Sequence, residues 1–300
     1  GDLLILGGKT ETIALHVPTA SRAGSVAWQV KERGDLYVPS YVVGDRYVTV
    51  RKMPFNVTVR FRATGKLIGR LDVPDLSLHR AHPLIENGPR AVPYARDGAR
   101  LVVTDGWYYI LIDVERLATV WKRLIDQNDL TREPAIRFAL NGGHLAVLKE
   151  DYDQKALYML SSKTGRILWH TDPKDGKSPQ PIHSMLIHGD TIYGIGVHPG
   201  QRFYFVARDC KTGALKFSRG VKGYDARPSV NLLPRLYGGR AVVTVQDRQV
   251  FELRGFDAKT GEPVHMIRKK GVGPLGVHGR VSVTVQNGRL VMLSKDKLSL

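Results

Sequence analysis

The side chains best suited to chemistry in this sequence are cationic. The stretch from Val73 to Val92, VPDLSLHRAHPLIENGPRAV, gathers His79, Arg80, His82, Glu86 and Arg90. Equivalent connections further along carry Arg132 and Arg137, then His183, then Arg227 and Arg235, and are expected to collect these cations around the mouth of one channel. Guanidinium forks pair bidentately with carboxylate, sulfate or phosphate. His79, Arg80, His82, Arg90, Arg132, Arg137, His183 and Arg227 are therefore the candidate anion- or ligand-binding residues. The competing reading is compositional: 45 Lys and Arg against 28 Asp and Glu give a charge of +17, and Arg is common everywhere.

Other chemistries have less support. A Tyr–His or Tyr–Arg pair beside a uronic acid would suit β-elimination, with a phenol as acid or base and Arg neutralising the carboxylate. Tyr37, Tyr41, Tyr94, Tyr224 and Tyr237 stand near strand starts or connections, but no motif fixes one of them in that role. Metal spacing is poor. His183 and His188 lie five apart on one strand and so are expected on opposite faces, while His79 and His82 lie in one loop and could converge with His16 or His183 from neighbouring repeats. The acidic runs 150–153 and 126–129 lack the regular spacing of a calcium loop. Residues 271–276 read GVGPLG, which fits a dinucleotide fingerprint on paper, but Pro274 interrupts it and strands follow instead of a helix. No Gly-x-Ser-x-Gly elbow, phosphate loop or HExxH occurs. Lys and Arg are spread along the whole chain instead of massed in one run, which argues against nucleic acid. No run of about eighteen apolar residues predicts a membrane helix.

What positions these residues is a repeat. Ser162-Lys163-Thr164-Gly165 through Trp169 matches Cys210-Lys211-Thr212-Gly213 through Phe217, and both match Ala258-Lys259-Thr260-Gly261 through His265. Thr164, Thr212 and Thr260 stand 48 residues apart. Degenerate copies lie at Arg116 (with Trp121), at Ala63-Thr64-Gly65, at Ala23-Gly24 (with Trp28) and at Ser294–Leu298. Thr-Gly marks a hairpin turn whose glycine takes a positive φ. A second hairpin precedes each, as in Val43-Gly44-Asp45-Arg46 and His188-Gly189-Asp190-Thr191. Two hairpins per 40 to 50 residues make four short antiparallel strands, one propeller blade. Leu117–Asp126 is ambiguous by periodicity and is read as strand from its place in the repeat. Trp28, Trp121 and Trp169 hold one repeat position and are expected to pack blades together; Trp107 breaks that pattern.

The unit resembles the PQQ-like (quinoprotein-type) β-propeller repeat family, whose pattern runs strand, Asp-x-x-Thr-Gly, short apolar run, Trp. The expected fold is all-β, a β-propeller of four-stranded antiparallel blades in a single domain over residues 1–300. Seven blades are expected from hairpins near residues 23, 64, 116, 164, 212, 260 and 296, or eight if residues outside this chain complete the ring. The opening Gly1–Leu6, with neither Met nor a basic leader, reads as a processed or trimmed part of a longer protein.

The resemblance implies two functions. In the family's large alcohol dehydrogenases, the quinone lies under adjacent cysteines, rests on tryptophan and is coordinated through calcium by acidic and amide side chains. Cys210 is the single cysteine and cannot form that vicinal pair, and no Glu/Asn/Asp set stands out, so neither PQQ nor calcium is expected. The chain resembles the non-enzymatic periplasmic scaffold members more closely. The expectation is a non-catalytic binding or scaffolding propeller, periplasmic or extracellular, using a basic face toward an acidic protein, an anionic polymer or a small anion. The alternative is an enzyme on an anionic substrate, a polysaccharide lyase or a degenerate quinoprotein dehydrogenase.

Overall fold

The computed structural model describes residues 3–7, 11–17, 24–32, 36–51, 55–73, 94–104, 108–124, 135–151, 154–171, 182–197, 203–221, 235–247, 250–270, 282–286, 289–293 and 298–299. Two compact units are present: Gly1–Gln154 with Leu160–Ile167, and Lys155–Met159 with Leu168–Leu300. Among the described residues every regular element is a strand.

The strands form antiparallel sheets in which chain neighbours are also sheet neighbours. The first joins β1 (Leu3–Gly7), β2 (Glu11–His16) and β3 (Ser25–Lys31). The second is β4 (Leu36–Val43), β5 (Arg46–Arg51), β6 (Asn56–Phe61) and β7 (Leu67–Asp72). The third is β8 (Tyr94–Asp97), β9 (Arg100–Thr104), β10 (Tyr108–Asp113) and β11 (Ala118–Leu124). The fourth is β12 (Ala135–Asn141), β13 (His144–Asp151), β14 (Gln154–Ser161) and β15 (Ile167–His170). Then follow β16 (Ile182–His188), β17 (Thr191–Val197), β18 (Phe203–Asp209) and β19 (Leu215–Val221). The sixth sheet is β20 (Arg235–Tyr237), β21 (Arg240–Asp247), β22 (Val250–Asp257) and β23 (Pro263–Lys270). Last come β24 (Ser282–Gln286), β25 (Arg289–Leu293) and β26 (Leu298–Ser299). The ambiguous segment after Leu117 is strand β11, as its place in the repeat predicts.

The Thr-Gly turns are built alike for a local reason. Gly65, Gly165, Gly213 and Gly261 all have φ between 69° and 75°. Each glycine N–H donates to the carbonyl four residues back, on Phe61, Ser161, Asp209 and Asp257. Thr64, Thr164, Thr212 and Thr260 each accept the backbone N–H two residues on. At Asp209 and Asp257 one carboxylate oxygen also accepts two backbone N–H groups and the threonine hydroxyl. These are Asx turns, in which a short side chain satisfies backbone donors that the reversal leaves free. In the third sheet Asp113 caps the turn the same way, but Leu117 stands where glycine would, at φ 50°.

Neighbouring sheets are keyed together through these turns. A Cβ on Gly65 would lie 2.6 Å from the Trp28 ring, one on Gly165 2.9 Å from Trp121, and one on Gly213 2.8 Å from Trp169. Each indole N–H then donates to a carbonyl three residues before that glycine: Trp28 to Arg62 at 2.9 Å, Trp121 to Ser162 at 2.9 Å and Trp169 to Cys210 at 2.8 Å. The expected packing role of Trp28, Trp121 and Trp169 is what the structure shows. A bulge aims the aromatic position. In five sheets the outer-strand register slips immediately before it, at Ala27, Ile68, Val120, Lys216 and Val264. Such a bulge re-aims a side chain and also spoils an edge for further pairing.

Apolar residues complete the cores. Leu101, Val102 and Val103 on β9 and Ile110, Leu111 and Ile112 on β10 are wholly buried. These inner strands are therefore apolar on both faces and read as continuous runs. Cys210 is buried as well, and burial pushes its thiol up to about 12. It is a packing residue, not a nucleophile.

Candidate functional site

Of the candidate anion-binding residues, His79, Arg80, His82, Arg90, Arg132 and Arg227 lie outside the described residues. So do Glu86, Tyr224, Trp107, the 271–276 glycine segment and the 126–129 acidic run. Arg137 and His183 are placed, and on strands instead of connections. Arg137 is exposed on β12, paired in register with Leu148 of β13. His183 is on β16 at a bulge, since Ile182 pairs with Gly196 and Ser184 with Ile195. Arg235 opens β20.

Both Arg137 and His183 thus sit on the strand that begins a sheet, and this signal points to a residue the sequence reading missed. Arg96 lies on β8, the first strand of its sheet, and its guanidinium sits 4.7 Å from the ring centre of Tyr41 on β4. Tyr41 is buried and Arg96 exposed, so the cation–π contact holds the charge at the surface on a fixed aromatic base.

A second charged cluster is internal. Glu32 accepts from Arg51 Nη2 at 2.6 Å, from Arg60 Nε at 3.0 Å and from Thr12 Oγ1 at 3.1 Å. Burial pushes the Glu32 carboxyl up, but hydrogen bonds and charge from Arg51 and Arg60 outweigh it and leave it below the ordinary value. The carboxylate is the counter-ion of both arginines, so this cluster is closed to a ligand anion and serves to register the first sheet on the second.

The hairpin turns carry the remaining cations. In the first unit Arg62, Lys66, Lys163 and Arg166 have no carboxylate partner among the described residues. Hairpin turns of successive sheets in this unit are bonded to one another. Arg46 Nη1 donates to the Glu115 carbonyl at 2.9 Å, Arg100 Nη1 to Ser162 Oγ at 3.1 Å, and Asp97 accepts the Gly142 N–H at 2.6 Å. In the second unit several cations on or just after the turns have carboxylate partners. Lys211 pairs with Asp190 at 2.8 Å, Lys216 with Asp209 at 3.5 Å and Arg219 with Glu262 at 3.0 Å. Among the described residues no three His, Cys, Asp or Glu converge on a common point, and no helix is long and apolar enough to cross a membrane.

Comparison with known proteins places this architecture. No curated protein matches the chain in sequence. Among solved structures, BamB from Moraxella catarrhalis superimposes with a TM-score of 0.61 at 16% identity, over 99% of this chain and 80% of that one. The dihydro-heme d1 dehydrogenase NirN, solved with DHE, gives 0.59 at 13% identity, over 97% of this chain and 57% of the other. The quinohemoprotein alcohol dehydrogenase ADHIIG from Pseudomonas putida HK5 gives 0.50 at 17% identity, over 79% and 42%. At these identities the likeness shows the fold, an all-β propeller of four-stranded antiparallel blades, shared by proteins with different activities. A family model, described as outer membrane protein assembly factor BamB, matches residues 118–299, more than half of the chain. The chain therefore belongs to the outer membrane protein assembly factor BamB family of PQQ-like repeat propellers.

Proposed function

We propose that this chain is a non-catalytic propeller, one domain of seven blades, that scaffolds a protein assembly in the periplasm and presents a basic face to an anionic partner. The observation that carries the reading is the family match across residues 118–299. The described repeat residues support it. The recurring indoles and turn glycines hold neighbouring sheets to one another, the turn carboxylates cap their own turns, and Cys210 is buried with a raised thiol pKa. His79, Arg80, His82, Arg90, Arg132, Arg137, His183 and Arg227 remain the proposed anion-binding set at the channel mouth, with Arg96 added to it. A single cysteine leaves the vicinal pair of the quinone enzymes without a counterpart, so no quinone or calcium chemistry is assigned.

The test is co-isolation. After mild crosslinking in its source cells, the tagged chain is expected to come down with components of the outer-membrane protein assembly machinery, in a salt-sensitive way. The reading is wrong if no such component is recovered and the purified chain instead oxidises alcohols with added PQQ and calcium. It is equally wrong if it raises ultraviolet absorbance on uronate polysaccharides.

A further inference from the structure

One turn departs from the repeat in a way its own stability does not explain. The residue that opens each described outer turn supplies a capping oxygen in four sheets: Asp113, Ser161, Asp209 and Asp257. In the second sheet that place is taken by Phe61. The backbone is unchanged: Phe61 N–H still donates to the Lys66 carbonyl at 2.9 Å, and Gly65 N–H to the Phe61 carbonyl at 2.8 Å. The cap is therefore lost while the turn is kept. In its place a phenyl side chain stands 42% exposed, followed at the other end of the turn by Leu67 at 50%. Between them lie Arg62 and Lys66, which have no carboxylate partner among the described residues.

A position that gives up a local stabilising contact to expose an aromatic group is the kind of departure that marks a functional surface. Exposed aromatic residues beside Arg are the commonest anchors of protein interfaces. The support beneath is rigid, because Gly65 at the centre of the turn is locked under Trp28 and Arg60 Nη1 holds the Gly65 carbonyl at 3.1 Å. We propose that the turn Phe61-Arg62-Ala63-Thr64-Gly65-Lys66-Leu67 is a docking site for an acidic, partly apolar segment of a partner protein. Phe61 and Leu67 take the apolar side chains, and Arg62 and Lys66 pair with carboxylates. Charge complementarity picks this occupant: two open cations flanked by two apolar side chains match carboxylates alternating with aliphatic groups.

This inference rests on the scaffold reading and names one contact surface for it. The test uses the full chain, a fluorescent peptide of alternating Glu and Leu, and vesicles rich in phosphatidylglycerol. Wild-type protein is expected to bind the peptide in a salt-sensitive way and to ignore a Lys-Leu control. Phe61→Asp is the decisive variant, since it restores the cap seen at Asp209 and Asp257. It is expected to weaken peptide binding roughly tenfold or more while leaving the thermal unfolding midpoint at or above that of wild type. The double variant R62E/K66E is expected to lose binding with an unchanged midpoint. Equal peptide binding by wild type and Phe61→Asp overturns the proposal, as does no binding by wild type. So does vesicle capture that depends on Phe61, which would assign the surface to lipid. Any of these leaves the co-isolation test of the scaffold reading intact.

Discussion

Leu117 Cδ1 fills the space that a Cβ on Gly69 would need. At three neighbouring junctions the large side chain, Trp28, Trp121 or Trp169, comes from one sheet and the glycine from the next sheet's turn. Between the second and third sheets the two are exchanged. Gly69 holds the aromatic position, and Leu117 holds the glycine position at φ 50°. The contact survives with its partners reversed.

That exchange predicts a specific coupling. Gly69→Trp alone overpacks against Leu117 and is expected to cost about 2 kcal/mol. Leu117→Gly alone relieves the left-handed backbone but opens a cavity, at a net cost of about 1–3 kcal/mol. The double variant re-creates the Trp–Gly pair and is expected to recover most of both losses. Denaturant unfolding of all four proteins checks it; simple additivity would show that the two residues are not exchanged partners.

A second junction compensates differently. Phe217 packs on Gly261 where tryptophan packs elsewhere, but phenylalanine has no N–H for the Ala258 carbonyl. The Tyr193 hydroxyl, from the same sheet, donates to that carbonyl at 3.0 Å. Tyr193→Phe is expected to cost about 1 kcal/mol, and Phe217→Trp in that background to restore it. If Phe217→Trp restores nothing, the Tyr193 bond is not the substitute for the indole.

These two junctions mark where the sequence stops being readable. Thr164-Gly165, Thr212-Gly213 and Thr260-Gly261 announce their turns because the residue types meet a local backbone demand, and the 48-residue spacing then yields blades. Whether Leu117 faces Gly69, or Tyr193 reaches Ala258, depends on how sheets face each other, and no short-range pattern encodes that. Glu32, Arg51 and Arg60 went unnoticed for the same reason, since ionic partners drawn from separate strands leave no motif. The backbone bulge at His183 is likewise a feature that periodicity does not signal. Of the eight candidate anion-binding residues, Arg137 is the one whose side chain is described.

The Glu32 cluster predicts an asymmetry between breaking and replacing. Side chains of Glu32 and Arg51 are 7% and 3% exposed, so Glu32→Gln removes the buried negative charge that Arg51 and Arg60 share. It is expected to destabilise by about 3 kcal/mol. Replacing Glu32, Arg51 and Arg60 together by Met is expected to cost far less. Thermal unfolding distinguishes the two; equal losses would mean that packing, not charge, makes the junction.

Turn capping predicts an acid dependence with a definite sign. The Thr260 backbone N–H, then its hydroxyl, hold the Asp257 carboxyl below its ordinary value. A lowered folded pKa contributes stability above the unfolded value, about 3.9, and loses it as pH falls through the lower folded value. The stability gap between wild type and Asp257→Asn is therefore expected at pH 6 and should shrink as pH drops below about 4. A gap that stays constant to the lowest accessible pH would show that the carboxylate charge is not what stabilises the turn.

Assembly instead of chemistry is the role proposed for this propeller. Its most direct test is the abundance of outer-membrane β-barrel proteins in source cells lacking the gene, measured by quantitative proteomics of the outer-membrane fraction. These proteins are expected to fall, and to recover when the wild-type gene is restored. Unchanged barrel-protein levels, together with the selective build-up of one small-molecule or polysaccharide substrate, would contradict it.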